Sequence, residues 1–350
     1  MTLHWDLFCR VIDNFGDIGV AWRLARDLAT RGQAVRLWID DASALCWMAP
    51  EGIPPGIEIF DWGEALTVHS SGDVVIETFG CELPEAFIAR MAEHRPAPLW
   101  LNLEYLSAES YVERSHGLKS PQFSGPGKGL EKQFFYPGFI AKTGGLLREP
   151  GLLDRQRKFD ADAWLAGQGV SRAPGERVVS LFAYPNGQVP ALIELLSPLP
   201  TLLLVCPGAV QAQVHTQVHG QGRLRVHGLP YLSQPEFDHL LWASDLNFVR
   251  GEDSFVRAQW AGKPFVWQIY EQGDGAHGPK LEAFMARAML PEDLRSLWRA
   301  WNRLGPWPPA PAIDSPLALT HAIRWREQLA AQPDLSTQLL ALAGAAHQIG

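Results

Sequence analysis

Twice along the chain a short apolar run leads into a turn containing Gly and Asp, and the turn leads into a stretch with helical spacing. This repeated strand-turn-helix order limits the fold more than any other feature of the sequence. Leu7 to Ile12 reads as the first strand, Val20 to Arg31 as a helix closed by Gly32, and Val35 to Ile39 as the next strand. Val20, Ala21, Leu24, Ala25 and Leu28 form one apolar stripe on that helix, which a sheet must cover. Val74 to Glu77 and Leu99 to Leu103, on either side of a helical Glu85 to Glu93, continue the alternation. Strand-helix-strand alternation implies a parallel sheet with helices on its faces.

The periodicity fades between Ser107 and Pro150, where Ser124-Gly-Pro-Gly-Lys-Gly and Phe134-Phe-Tyr-Pro-Gly-Phe suggest a long surface loop or a crossing between domains. These glycines lack the spacing of a phosphate-binding loop. A second series then follows, with strands at Val178 to Phe182, Leu202 to Cys206, Leu224 to Val226, Leu246 to Val249 and Phe265 to Ile269. Helices at Val189 to Leu196, Pro235 to Ala243 and Ser254 to Ala261 separate them, and four further helical stretches close the chain. Two α/β units in tandem are expected, over residues 1–172 and 173–331, with a last helix at about 332–350 packing back on the first.

Composition agrees with this reading. At about 150 residues per domain, 350 residues suit two domains, and 47% apolar with 19% charged residues excludes wholesale disorder. The net charge of −8 offers no general attraction to nucleic acid or anionic lipid. Cys9, Cys46, Cys81 and Cys206 are far apart and lack zinc or redox-motif spacing, so reduced thiols are expected. With no signal-peptide pattern and no long unbroken apolar run, a cytoplasmic protein without a membrane span is expected.

An open parallel sheet binds ligands beyond the carboxyl ends of its strands, which directs attention to three segments. The first is Asp13-Asn14-Phe15-Gly16-Asp17-Ile18-Gly19, between the first strand and the first helix. Its two carboxylates could accept protons, hold a cation or bind a metal, and equally could cap the helix and shape the turn. The GxxG spacing falls short of a nicotinamide-dinucleotide fingerprint. The second is Arg250-Gly251-Glu252-Asp253-Ser254-Phe255-Val256-Arg257, where amides at a helix start suit a diphosphate and the two acids suit an accompanying cation. The third pairs Phe182-Ala183-Tyr184 with Pro230-Tyr231-Leu232-Ser233-Gln234, aromatic faces and an amide that could frame a nucleobase or simply belong to the core.

Two long strings, Asp13-Asn-Phe-Gly-Asp-Ile-Gly-Val-Ala-Trp-Arg-Leu-Ala-Arg and Phe248-Val-Arg-Gly-Glu-Asp-Ser-Phe-Val-Arg-Ala-Gln-Trp-Ala-Gly-Lys-Pro-Phe-Val-Trp-Gln-Ile-Tyr, together with Leu101-Asn-Leu-Glu-Tyr-Leu-Ser and Phe134-Phe-Tyr-Pro-Gly-Phe, carry a resemblance. The chain resembles, over essentially its whole length, the bacterial elongation factor P arginine rhamnosyltransferases, the EarP family. The resemblance implies a GT-B architecture, two Rossmann-like domains facing a cleft. It also implies an inverting glycosyltransferase that moves L-rhamnose from dTDP-β-L-rhamnose to one arginine of elongation factor P, aiding polyproline synthesis. Carried over by position, Asp17 is the catalytic carboxylate, supported by Asp13 and Glu252. Asp253, Ser254 and Tyr184 hold the diphosphate, while Tyr231, Gln234 and Phe182 frame the thymine. Tyr231 departs from the phenylalanine of some relatives and keeps the ring face. The resemblance also assigns Asn14, Phe15, Gly16, Arg250 and Gly251 to nucleotide-sugar binding.

The chemistry expected from these residues needs no metal and no cofactor. Carboxylates gathered around an arginine would orient it and accept its proton, and helix amides would take the charge of the departing diphosphate. Other expectations compatible with the fold are a GT-B enzyme or nucleotide-sugar epimerase acting on a small molecule, or a non-catalytic nucleotide-binding module.

Overall fold

A computed structural model describes residues 2–12, 15–67, 69–217, 223–271, 275, 277–308 and 316–349. Contacts divide the chain into two units, Met1–Pro150 with Leu329–Gly350, and Gly151–Gln328. The first divide lies at Pro150 rather than at 172. The helices Leu152–Arg157 and Ala161–Gly167 precede the second sheet, and Leu165 is buried in one cluster with Val178, Leu202 and Leu240 of that sheet and its helices.

The first unit is built on a seven-stranded sheet. Its strands are β1 (His4–Cys9), β2 (Ala34–Ile39), β3 (Ile57–Asp61), β4 (Val74–Thr78), β5 (Leu99–Leu103), β6 (Lys119–Pro121) and β7 (Glu131–Phe135). They are ordered β3-β2-β1-β4-β5-β7-β6, and all neighbours are parallel except β6 against β7. Of the stripe foreseen on the first helix, Gly16–Thr30, Ala21, Leu24, Ala25 and Leu28 are fully enclosed with Trp5, Leu7 and Trp22, whereas Val20 is half-buried. The helix Leu335–Ile349 joins the same core through Leu335, Leu339 and Ala343.

β1 stops at Cys9, three residues before the end expected from its apolar run, because the next amides turn to side chains. The Val11 amide donates to Asp40 Oδ1 at 3.0 Å, and the Ile12 amide donates to Asp17 Oδ2 at 2.8 Å. The stretch 107–150, expected to be irregular, contains a helix at Ser110–Ser115 and the β6–β7 hairpin. β7 has no apolar run to announce it. It is held by its register with β5 and by Lys132, whose ammonium meets the buried Glu77 carboxylate at 2.8 Å. The hairpin packs closely enough that a side chain at Gly127 would meet Ile88 Cγ2 at 2.9 Å.

The second unit holds a five-stranded, wholly parallel sheet: β8 (Arg177–Leu181), β9 (Thr201–Val205), β10 (Leu224–Gly228), β11 (Leu246–Arg250) and β12 (Phe265–Gln268), ordered β10-β9-β8-β11-β12. Its strands lie within a residue or two of the positions expected from the sequence. The helix Ala209–Gln217 was not expected, since Gly208, Gln211, Gln213 and His215 break its apolar pattern.

Strand order decides where each unit can hold a ligand. The first chain path runs outward from β1 to β3 and then returns to the other side of β1 at β4. The second runs outward from β8 to β10 and returns beside β8 at β11. Such a reversal leaves a crevice at the carboxyl ends of the two strands that flank it. In the first unit the loops after β1 and β4 border it, and in the second the loops after β8 and β11. The sequence segments singled out above begin at three of these four ends.

Candidate active site

In the first unit the reversal is bordered by Asp17. The helix begins at Gly16, and its first turn places Asp17 where its side chain folds back over the loop just left by β1. Asp17 is only 2% exposed. Its Oδ2 accepts the Ile12 amide at 2.8 Å, and its Oδ1 accepts the Tyr105 hydroxyl at 3.3 Å. The carboxylate is therefore oriented from two sides, by the strand end before it and by the residue just beyond β5. The N-cap of this helix is Phe15, which makes no side-chain cap bond and whose ring meets Trp47 edge-on at 5.0 Å and packs on the core. Phe15 and Gly16 thus anchor and start the turn. Asp13 and Asn14 lie outside the described residues.

The β5 edge carries residues that the motif analysis did not single out. Tyr105 stacks on Phe79 at 4.3 Å with the ring planes 10° apart. Phe79, directly after β4, has a left-handed backbone with φ of 58°, a conformation that costs a bulky residue about 1–3 kcal/mol and is concentrated at functional sites. Glu104 accepts from Asn102 Nδ2 at 2.9 Å, and burial pushes its carboxyl above the ordinary value. Burial likewise raises the phenols of Tyr111 and Tyr136, whose rings meet edge-on at 5.9 Å, and the Glu104 charge adds to both shifts. Only the strings Leu101–Ser107 and Phe134–Phe139, within the family resemblance, signalled this edge. Tyrosines and glutamates after a strand otherwise read as ordinary surface.

In the second unit the reversal is bordered by Arg250. Its guanidinium carbon sits 4.6 Å from the Phe182 ring centre and 4.4 Å from that of Tyr184. A guanidinium on aromatic faces gains cation–π attraction and keeps donors for an anion. Phe182 also meets Phe237 edge-on at 5.3 Å, and the Tyr184 amide donates to Gln268 Oε1 at 2.9 Å, so both platforms are fixed.

The turn that follows is equally fixed. Gly251 has a left-handed φ of 64°, which suits glycine, and its carbonyl accepts the Trp267 indole at 2.8 Å. Trp267 stacks on Phe255 at 3.9 Å, tying β12 to the helix Asp253–Ala261. Ser254 is buried; its hydroxyl accepts the Arg250 amide at 3.1 Å and donates to the Arg250 carbonyl. Neither Asp253 nor Ser254 occupies the N-cap position. Glu252 is the N-cap, without a side-chain cap bond, and Asp253 opens the first turn. The Val256 amide is taken by the Glu252 carbonyl at 3.0 Å, so an anion seat at this helix start involves positions 253–255.

Tyr231 and Gln234 follow β10, one strand away from β9 and two from β8. Tyr231 is 54% exposed, whereas Gln234 is buried as the first residue of the helix Gln234–Ala243, which Ser233 caps. The helices of the two loops are joined by a buried bidentate pair, Arg257 Nε to Asp238 Oδ1 at 2.8 Å and Nη2 to Oδ2 at 2.6 Å.

The model of the family described as Elongation-Factor P (EF-P) rhamnosyltransferase EarP matches residues 5–344. The chain belongs to the EarP family. A protein-arginine rhamnosyltransferase of Pseudomonas aeruginosa is 46% identical over 96% of this chain and 97% of its own. One of Neisseria meningitidis is 40% identical over 81% of this chain and 78% of its own. A structure solved for the structural basis of EarP-mediated arginine glycosylation of translation elongation factor EF-P shares 36% identity over 97% of this chain and 98% of that one, with a TM-score of 0.67. A spinosyn rhamnosyltransferase complexed with thymidine diphosphate, 11% identical with a TM-score of 0.54, shares the fold. The chain accordingly has the GT-B fold of two parallel-sheet α/β units and, as an EarP-family member, is a glycosyltransferase.

Among the described residues no helix is long and apolar enough to cross a membrane, and no group of three or more His, Cys, Asp or Glu side chains is placed to hold a metal ion. Cys9, Cys81 and Cys206 are buried and Cys46 is exposed, all as free thiols. Burial pushes Cys81 and Cys206 up to about 12, so neither is a ready nucleophile.

Proposed function

We propose that this chain transfers the rhamnosyl group of dTDP-β-L-rhamnose to the side chain of one arginine of elongation factor P, with inversion at the sugar carbon. The match to the EarP family over residues 5–344 carries the reading. The division of residues between the two strand-order reversals, carboxylate at one and guanidinium with a helix start at the other, supports it.

The step balances as follows. A guanidinium nitrogen forms a bond to C1 as the bond from C1 to the diphosphate oxygen breaks, the electron pair leaves with dTDP, and the arginine loses a proton. A guanidinium holds its proton to a pKa above about 12, and an ordinary aspartate sits near 3.9. Asp17 therefore does not deprotonate the resting acceptor. It clamps the guanidinium, turns one nitrogen toward C1 and accepts the proton as attack makes it acidic. Asp13, four residues before it in the sequence, and Glu252, at the N-cap of the donor-side helix, support it as further carboxylates.

The leaving diphosphate rests on the second unit. Arg250 supplies fixed positive charge, and the helix start at Asp253 and Ser254 supplies amides where negative charge develops, with Tyr184 beside them. Phe182, Tyr231 and Gln234 frame the thymine. These groups do the work that a divalent ion does in other diphosphate chemistry, and the reaction is metal-independent.

Incubation with dTDP-β-L-rhamnose and elongation factor P, followed by peptide mass spectrometry, tests the reading. One deoxyhexosyl increment on an arginine is expected. An unmodified factor, or sugar on a serine or a small molecule alone, contradicts it.

A further inference from the structure

We infer that Tyr105 is a positioning residue for the Asp17 carboxylate, an inference that rests on the reading of Asp17 given above. Asp17 is held through one oxygen by a backbone amide, Ile12, and through the other by the Tyr105 hydroxyl. The first contact is local, from an amide only five residues before Asp17. The second comes from the far side of β4, from the end of β5, and ties the carboxylate to the sheet itself.

Tyr105 is in turn held against rotation. Its ring lies flat on Phe79 at 4.3 Å, and Phe79, in its left-handed conformation, is held by a hydrogen bond that its amide donates to the Leu103 carbonyl at 2.7 Å. The next amide, Gly80, donates to Asn102 Oδ1 at 3.2 Å. The ends of β4 and β5 are thus laced together around one ring whose only polar atom points at Asp17. A phenylalanine would pack on Phe79 equally well, so the hydroxyl is the part of Tyr105 that packing does not require.

The length of the bond suits the role. At 3.3 Å it is longer than an ordinary O–H···O contact of about 2.7–2.8 Å. It fixes the carboxylate's torsion and leaves Oδ1 able to shift toward an arriving guanidinium. Proton transfer and attack depend on that orientation, and a misplacement of about 1 Å can cost about 100-fold. Tyr105 itself takes no proton in this scheme.

The test is a double-mutant cycle of Tyr105→Phe and Asp17→Asn, read by steady-state transfer to elongation factor P, with dTDP titration and thermal melting on the same preparations. Tyr105→Phe is expected to lower kcat by roughly 10- to 100-fold, the range for losing a hydrogen bond to a charged group, with KM for the donor, dTDP affinity and Tm unchanged. In the Asp17→Asn background, removing the hydroxyl is expected to cost nothing further. An unchanged kcat in Tyr105→Phe, a loss carried by Tm or donor KM, or an equal further loss in Asp17→Asn overturns the inference. Full turnover in Asp17→Asn alone would instead overturn the reading of Asp17, so the two failures are distinct.

Discussion

The loop after β1 and the loop after β11 are the same device, a strand that ends in a tight turn and starts a helix at a reversal of strand order, yet they carry opposite chemistry. After β1 a buried carboxylate collects donors, the Ile12 amide and the Tyr105 hydroxyl. After β11 a guanidinium lies on two aromatic rings, and the serine that follows is spent on the backbone of that same arginine. The comparison teaches that the scaffold supplies the place and the side chains supply the sign of charge. One turn suits a cation that must lose a proton, the other an anion that must leave.

The comparison breaks if substitutions at the two loops have the same effect. Asp17→Asn keeps the shape and one oxygen to accept the Ile12 amide, but it puts an NH2 where an oxygen accepts the Tyr105 hydroxyl and removes the charge, and it should lower transfer by about 100- to 10,000-fold, the span of general acid–base contributions. Arg257→Ala should act on stability, since it removes the bidentate partner of the buried Asp238 carboxylate, a loss of about 3–5 kcal/mol. Denaturant melts should show that loss. A change under 1 kcal/mol would mean that the pair does not hold the two donor-side helices together. Arg250→Ala should weaken dTDP binding by roughly 10- to 100-fold in calorimetry, with kcat at saturating donor less affected. Arg250→Lys should recover little, because an ammonium cannot lie flat on both rings.

A smaller effect concerns His116, at the β7 edge of the first unit. Its imidazole is pushed below the ordinary 6.5 by burial, and the Tyr136 amide donates to its Nδ1 at 3.0 Å. The unfolded chain therefore binds this proton more readily than the folded one, so stability falls as pH drops through the ordinary histidine value. His116→Gln should flatten the dependence of unfolding free energy on pH between about 7 and 5, relative to the parent. Smallest of all, EDTA should leave the transfer rate unchanged. A rate that collapses and returns with Mg²⁺ would move Asp13, Glu252 and Asp253 to metal-ligand roles.

Much of this architecture was legible because apolar runs and stripes are local. The five strands of the second sheet and the helices Glu85–Glu93 and Val189–Leu196 sit where spacing put them. What escaped was held by distant partners. β7 depends on Lys132 reaching Glu77, and β1 is cut short by Asp40 and Asp17. The site divides in the same way. Asp17 and Arg250 were legible because they follow strands in short Gly-containing turns. Tyr105 and Phe79 were not, because their role lies in a stack and a hydrogen bond between residues distant in sequence, the hydrogen bond spanning 88 positions. Charge alone would also have misled. Asp6 is as buried as Asp17, but it is filled by Arg36, the Trp38 indole and the Gly72 amide at the middle of the sheet, where it serves structure.

The most direct test of the division between the two loops is a calorimetric titration of dTDP into the Asp17→Asn protein, beside the parent and Arg250→Ala. The account predicts that Asp17→Asn binds the nucleotide as the parent does and that Arg250→Ala binds it weakly. Loss of nucleotide binding in Asp17→Asn, or parental binding in Arg250→Ala, would contradict it.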